Sequence, residues 1–173
     1  MGAVGRIVVG VHGSLGSLQA LHWAAGEARD RQVALVAVIA WLPPGGDLAE
    51  RSRPSPYLRR AWRDAASKRL TEAFEAGLGG LPDDLPVQLR VERGETGPVL
   101  VDVADQRGDL LVIGTGRRHP VSRALRRSVS RYCLAHARCP VLAVPPSALM
   151  EAAAHGWLRP RSWSTRGLAD SRG

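Results

Sequence analysis

The stretch that decides the fold is LLVIGTGRRHPVSRALRRSVSRYCLAHARCPVLAV, residues 110–144. It begins as an apolar run of strand length, passes through Gly-Thr-Gly at 114–116 and returns through a helical pattern to a second apolar run. No acidic residue lies between Gly114 and Val144, and arginines crowd the part before Ser128. A strand, a glycine-containing turn and a helix in this order are typical of phosphate-binding sites in α/β proteins. In this chain, several arginines lie between the turn and Ser128.

The rest of the chain alternates between the same two patterns. Apolar runs of strand length occupy residues 6–11, 33–40, 86–92, 110–113 and 141–144, and apolar residues recur at helical spacing between them. Ser14 and Ser17 are candidate N-caps of the first helix, and Thr96 is the candidate for the third. The alternation predicts a three-layer α/β/α domain with a parallel five-stranded sheet and right-handed crossovers. We assign this domain to residues 1–146 and expect residues 147–173 to form a disordered tail.

The composition is that of a globular chain of 173 residues with a net charge of +8, carried by arginine because Lys68 is the only lysine. Arginine binds phosphates and carboxylates through its planar fork, so an anionic partner fits this charge. A genome rich in G and C gives the same bias without any function, and that is the simpler explanation of the overall excess. Cys133 and Cys139 lack the spacing of metal or redox sites and are predicted to be buried free thiols.

Motifs of several enzyme classes do not occur in the sequence, among them G-x-S-x-G, H-E-x-x-H and the P-loop. Asp105 and Asp109 flank the start of the fourth strand, where they could bind a metal or simply end a turn. The sequence has neither an apolar run of membrane length nor the layout of a signal peptide. We therefore expect a cytoplasmic protein with no membrane partner.

Four segments, IVVGVHGSLGSLQALHWAAGEA, LVAVIAW, DLLVIGTG and SVSRYCLAHARCPVLAVP, resemble the universal stress protein family and follow one another in the family's order. The resemblance implies a Rossmann-like sheet, of the adenine nucleotide α-hydrolase-like kind, with strand order 3-2-1-4-5. The first and fourth strands then lie side by side where the strand order reverses, and the loops at His12-Gly13-Ser14 and after Gly114 meet across one crevice. It also implies a homodimer through the fifth strand, Val141–Val144.

The nucleotide-binding branch of this family carries Gly-x2-Gly-x9-Gly-Ser/Thr after the fourth strand. Gly114 matches the first glycine and Ser128 the final hydroxyl residue, whereas Arg117 and Arg127 replace the second and third glycines. Those relatives also place an Asp after the first strand, as a partner for nucleoside hydroxyls, and this chain has His12 there. These changes count against ATP binding of the usual family kind and leave ATP or another adenine nucleotide as a candidate ligand.

Val38, Val129 and Ser130 match the remaining contact positions, although packing alone would also select such residues. The resemblance thus assigns the following residues to a ligand site: His12, Gly13, Ser14, Val38, Gly114, Arg117, Arg127, Ser128, Val129 and Ser130. In one interpretation the two arginines keep an anion site by offering guanidinium forks in place of backbone amides. In the other, the crevice has closed and the arginines form a solvated face.

The start of the fourth helix distinguishes these interpretations. A helix from Ser122 places Arg123, Arg127 and Arg131 on one exposed stripe, whereas a helix from Ser128 leaves its first amides free for an anion. The function we favour is a non-catalytic stress-response or regulatory protein whose crevice binds a nucleotide or another anionic small molecule. The alternatives are a weak nucleotide-hydrolysing enzyme and an arginine-rich surface that binds nucleic acid without specificity; we expect no specific nucleic-acid partner.

Overall fold

Five parallel strands form one sheet in the order β3-β2-β1-β4-β5 in the computed structural model, which describes residues 5–46, 50, 54–115 and 129–147. The strands are β1 Arg6–Gly10, β2 Ala34–Trp41, β3 Val87–Arg93, β4 Asp109–Gly114 and β5 Val141–Val144. The fold class and strand order are confirmed, and each predicted strand lies within one residue of the observed one at both ends. Of the predicted tail, only Ser147 falls within the described residues.

The described helices connect successive parallel strands of the sheet. They are α1 Leu15–Arg31, α2 Pro56–Leu78, α3 Thr96–Val103 and α4 Val129–His136. Ser14 is the N-cap of α1. The prediction for α3 is wrong by one residue, because Glu95 has the extended backbone of a cap and Thr96 is already helical. None of the helices within these ranges has the length and apolarity that a membrane crossing requires.

The sheet separates two apolar layers, with α1 and α2 on one face and α3 and α4 on the other. In the central strand β1, Ile7 and Val9 face the first layer and Val8 the second, and all three are 0% exposed. Burial on both faces explains why the strands read as continuous apolar runs instead of alternating patterns. Cys133 and Cys139 are buried free thiols, as predicted. Burial raises the pKa of Cys133 to about 11, which keeps this thiol protonated at neutral pH.

A buried ion pair fixes the start of β1 against the start of β4. Arg6 donates from Nε to Asp109 Oδ1 at 2.8 Å and from Nη2 to Oδ2 at 2.9 Å, and the Asp109 side chain is 0% exposed. Arg6 also binds Asp105 and the carbonyl of Val103. The hydrogen bond to Asp109 is the main cause of the raised pKa of Arg6. The two aspartates considered as metal ligands therefore bind an arginine that sets the strand register.

At the opposite, carboxyl edge, the first turn of α1 touches the end of β4 backbone to backbone. A Cβ on Gly114 would overlap the carbonyl of Gly16 and lie 2.6 Å from the amide nitrogen of Ser17. A Cβ on Gly16 would lie 2.5 Å from the carbonyl oxygen of Thr115. Side chains do not fit at either position, so α1 can approach β4 this closely only because both residues are glycine.

We predict that Gly114→Ala destabilises the protein by at least about 2 kcal/mol, because the backbone of α1 must move to admit the methyl group. Gly26→Ala is the matched control, since Gly26 lies in α1 and a methyl group added there would have no neighbouring atom within 4 Å. That substitution should stabilise the helix by about 0.5–1 kcal/mol. Urea unfolding of the two variants measures both effects, and similar stabilities would contradict the close contact.

Candidate functional site

The turn between β1 and α1 is held by two serine hydroxyls. Ser14 Oγ accepts a hydrogen bond from the amide of Ser17 at 3.3 Å and so caps the helix. Ser17 Oγ accepts from the amides of Gly13 at 3.1 Å and His12 at 3.4 Å, and donates to the carbonyl of Ser14 at 3.0 Å. Gly13 has a φ of 89°, which a side chain would disfavour. The turn is therefore fixed before any ligand arrives.

His12 presents its ring to solvent from this turn. Its Nε2 lies 3.2 Å from Ser14 Oγ, and the residue is exposed. The hydroxyl of Ser14 thus serves the helix cap and the imidazole together. This contact orients one ring nitrogen toward the turn and leaves the other for solvent or a ligand.

The end of β4 lies beside this turn. Thr115 donates its amide to the carbonyl of Val144 at 2.8 Å, which ties the end of β4 to the end of β5. Gly16 meets the carbonyl of Thr115, and Gly114 meets Gly16. The structure therefore brings His12, Gly13 and Ser14 to the same edge of the sheet as Gly114, where the strand order reverses.

The remaining predicted site residues either lie on other elements than this turn and the end of β4 or fall outside the described residues. Val38 is 1% exposed in the apolar layer under α3 and α4, and its carbonyl accepts from the amide of Val11 at 2.9 Å. Val129 and Ser130 are half-buried in the first turn of the described part of α4. Arg117, Arg127 and Ser128 lie outside the described residues, and so does the choice between helix starts at Ser122 and Ser128.

Two residues that build the crevice were missed by sequence reasoning. Gly16 was not singled out, and Ser17 was considered only as a cap, whereas it anchors the turn from inside with 2% of its surface exposed. The one available signal was the pair Gly16-Ser17 immediately after the predicted turn. A small residue at that point indicates close approach of another backbone.

Comparison with known proteins agrees with this geometry. A model of the universal stress protein family matches residues 3–145. The chain belongs to the universal stress protein family. Its structure resembles UspA from Lactobacillus plantarum, with 20% identity over 83% of this chain and 99% of that one and a TM-score of 0.59, a likeness of fold alone. It also resembles a universal stress protein solved in complex with cAMP, with 26% identity over 84% of this chain and 100% of that one and a TM-score of 0.54. A family protein from Burkholderia pseudomallei is equally similar, at 26% identity over 83% and 97% of the chains and a TM-score of 0.54.

In this family member a second polar cluster lies at the carboxyl edge, at the ends of β2 and β3. The side chain of Glu50 is 4% exposed and accepts from Arg59 Nε at 2.6 Å and also from Arg93. The guanidinium of Arg93 lies over the ring of Trp41, 5.9 Å from its centroid. Because Arg59 belongs to the first turn of α2, this buried carboxylate fixes where α2 begins.

A cavity of about 460 Å³ lies between β3 and α3, on the sheet face away from α1 and α2. Its lining is mostly charged: Arg6, Arg90, Glu92, Arg93, Val99, Asp102, Val103, Asp105 and Gln106. Residues of β3 and α3 line it together with Arg6 of β1. Within the described ranges, no group of three or more His, Cys, Asp or Glu residues could hold a metal ion.

We predict that Ser17→Ala destabilises the protein by about 1–3 kcal/mol, because two amides of the turn lose a buried acceptor. Ser55→Ala is the control, since Ser55 caps α2 through one hydrogen bond to the amide of Leu58 and should cost about 1 kcal/mol. Chemical unfolding gives the two free energies. Faster hydrogen exchange at His12 and Gly13 in the Ser17 variant alone would locate the effect in the turn; an unchanged exchange rate would contradict it.

Proposed function

We propose that this protein is a non-catalytic regulator of the stress response that acts in the cytoplasm and binds an adenine nucleotide, or another small anion, at the carboxyl edge of the sheet. The observation that carries the proposal is the contact of Gly16 with Gly114 and Thr115, which sets the turn at His12 beside the end of β4. Open α/β sheets bind ligands in the crevice formed at such a reversal of strand order.

The relative solved with cAMP supports the adenine nucleotide as ligand class. It is 26% identical, and the likeness covers 84% of this chain and 100% of that one, which supports a ligand of the same class here. The absence of acidic residues from Gly114 to Val144 favours an anionic ligand over a neutral one.

The residue types at the crevice favour a compact nucleotide over ATP. An imidazole N–H donates to a phosphate, whereas the Asp that the family places at this position accepts from nucleoside hydroxyls and repels a phosphate. His12 therefore suits a ligand whose phosphate lies close to the sugar. Arg117 and Arg127 stand where two motif glycines would let the backbone approach a triphosphate. The replacement of Asp by His12 and the replacement of two glycines by arginine therefore favour a cyclic nucleotide or a nucleoside monophosphate over ATP.

In calorimetric titrations we expect cAMP or AMP to bind more tightly than ATP. Arg127→Gly should raise the affinity for ATP, because it restores a glycine of the motif, while Arg107→Gly, at an exposed position on the opposite edge, should not. His12→Ala should weaken cAMP binding by about three- to tenfold, the value of one hydrogen bond. Tighter binding of ATP than of cAMP by the unmodified protein would refute the selection.

We also propose that two copies pair through β5. This strand is an edge of the sheet, and the carbonyls of Pro140 and Val144 accept from β4. Along a strand the backbone groups alternate in direction, so those of Val141 and Ala143 point away from β4. No described segment pairs with them. An apolar edge with open backbone groups favours an isologous antiparallel pairing.

Light scattering tests the dimer. We expect a dimer for the full chain and for a chain ending at Pro146, and a monomer for Ala143→Lys, because a charge at the centre of an edge strand blocks pairing. Ala76→Lys, which changes an exposed alanine of α2, should remain a dimer. A monomer at high protein concentration for both chain lengths would exclude this assembly.

A further inference from the structure

The N-terminal half of α2 is largely exposed to solvent. Buried residues of this helix begin at Ala66, and before it only Trp62 is half-buried. Tyr57 is 80% exposed and Leu58 44% exposed. Because α2 follows β2, this half starts at the carboxyl edge of the sheet, where Glu50 holds it through Arg59. We call residues 56–65 the α2 spur.

The charges of α2 are arranged against the helix macrodipole. Its first turns carry Arg59, Arg60 and Arg63 and its last turns carry Glu72 and Glu75, with no acidic residue in the first turn and no basic residue in the last. A helix is stabilised by the opposite arrangement, since its N-terminus is the positive end of the dipole. Ion pairing within the described chain does not account for the spur arginines, because two of the three form no ion pair there.

Those two are Arg60 and Arg63. Arg59 is paired with the buried Glu50, but Arg60 and Arg63 are exposed and form no hydrogen bond or ion pair with any part of the chain that the structure describes. Tyr57, Arg60 and Arg63 follow at a spacing of three, so they lie along one stripe of the helix. Asp64, beside this stripe, is the single acidic residue between 56 and 70, against five basic ones.

We propose that the α2 spur binds the backbone of a single-stranded nucleic acid, independently of the crevice and without reading the base sequence. Arg60 and Arg63 contact neighbouring phosphates through their planar forks, and the ring of Tyr57 stacks on a base. An aromatic ring next to unpaired arginines is the combination that single-strand binders use. An anionic membrane is the weaker fit, because a helix lying on a bilayer needs a continuous apolar face and the spur exposes only Tyr57 and Leu58 as large apolar side chains.

The test is fluorescence anisotropy of a labelled oligothymidylate titrated with the full chain at several salt concentrations. The double variant Arg60→Glu and Arg63→Glu should bind at least about tenfold more weakly, and the log–log salt slope should fall in magnitude by about 1.4, for two lost phosphates. The melting temperature should stay equal or rise, because the new charges match the helix dipole. A functional loss without a stability loss separates binding from folding.

The control is Arg107→Glu with Arg138→Glu, two exposed arginines away from α2 that give the same change in net charge. We expect this variant to keep its affinity within about threefold, whereas a purely net-charge effect would weaken both variants alike. Tyr57→Ala should weaken binding by about fivefold or more and Tyr57→Phe should not, because the ring and not the hydroxyl stacks.

Three outcomes overturn the proposal. The first is no binding of the oligonucleotide by the unmodified protein at low salt, and the second is an equal loss in the spur variant and its control. The third is a spur variant that loses binding to phosphatidylglycerol vesicles but keeps binding to the oligonucleotide, which would make the spur a membrane contact. His12→Ala should leave oligonucleotide binding unchanged, so failure at the crevice and failure at the spur give different results.

Discussion

One backbone contact governs how the layers of this protein come together: the first turn of α1 lies directly against the end of β4 at Gly16 and Gly114. Once this turn is seated there, the rest of α1 lies across β1 and β4 with small residues, mainly alanines, buried along its length. The same solution recurs on the other face, where a Cβ on Gly97 in α3 would lie 2.9 Å from the ring of Tyr132 in α4. Glycine at the points of closest approach lets α1 pack tightly on the sheet and α3 on α4.

Much of this fold follows from local patterns and the rest from the resemblance. Strands buried on both faces are legible as apolar runs, and Ser14 marks the start of α1 because a hydroxyl is the usual acceptor at a helix start. Thr96 was wrongly predicted to be the N-cap of α3 for the same reason, because its hydroxyl suits a cap but lies one position after the true cap, Glu95. The order of the strands has no local signal, because parallel neighbours are far apart in sequence; it came from the family's pattern.

The candidate site, too, could be predicted from the sequence only in part. The strand order predicts that the loops after β1 and β4 are adjacent. The role of Ser17 depends on hydrogen bonds from the amides of His12 and Gly13, which no sequence pattern indicates. The pairing of Glu50 with Arg93 is harder still, since 43 positions separate them. Long-range ion pairs form because a carboxylate left buried without a partner is strongly unfavourable, and the sequence does not reveal which carboxylates become buried.

Part of the arginine excess is explained by such pairs. The buried carboxylates of the described chain are Asp109, at the amino ends of the strands, and Glu50, at their carboxyl ends. Each is bound by arginine. These arginines hold the strand register and the start of α2, so they belong to the scaffold. Arg60 and Arg63 of the α2 spur are of a different kind, because they are exposed and have no partner in the described part of the chain. The arginine excess therefore combines arginines that hold the scaffold together with arginines that are exposed to solvent.

The edge strand β3 has a consequence for the growth of larger assemblies. It is the other edge of the sheet, and it exposes Arg90 and Arg93 and half-exposes Glu92, whereas β5 at the far edge carries only apolar side chains. Charged residues on an edge oppose its use as a template by another chain. The two edges of the sheet are therefore unlike, and head-to-tail joining of β3 to β5 is disfavoured. A sheet built in this way resists forming open-ended filaments, even when many copies are concentrated together.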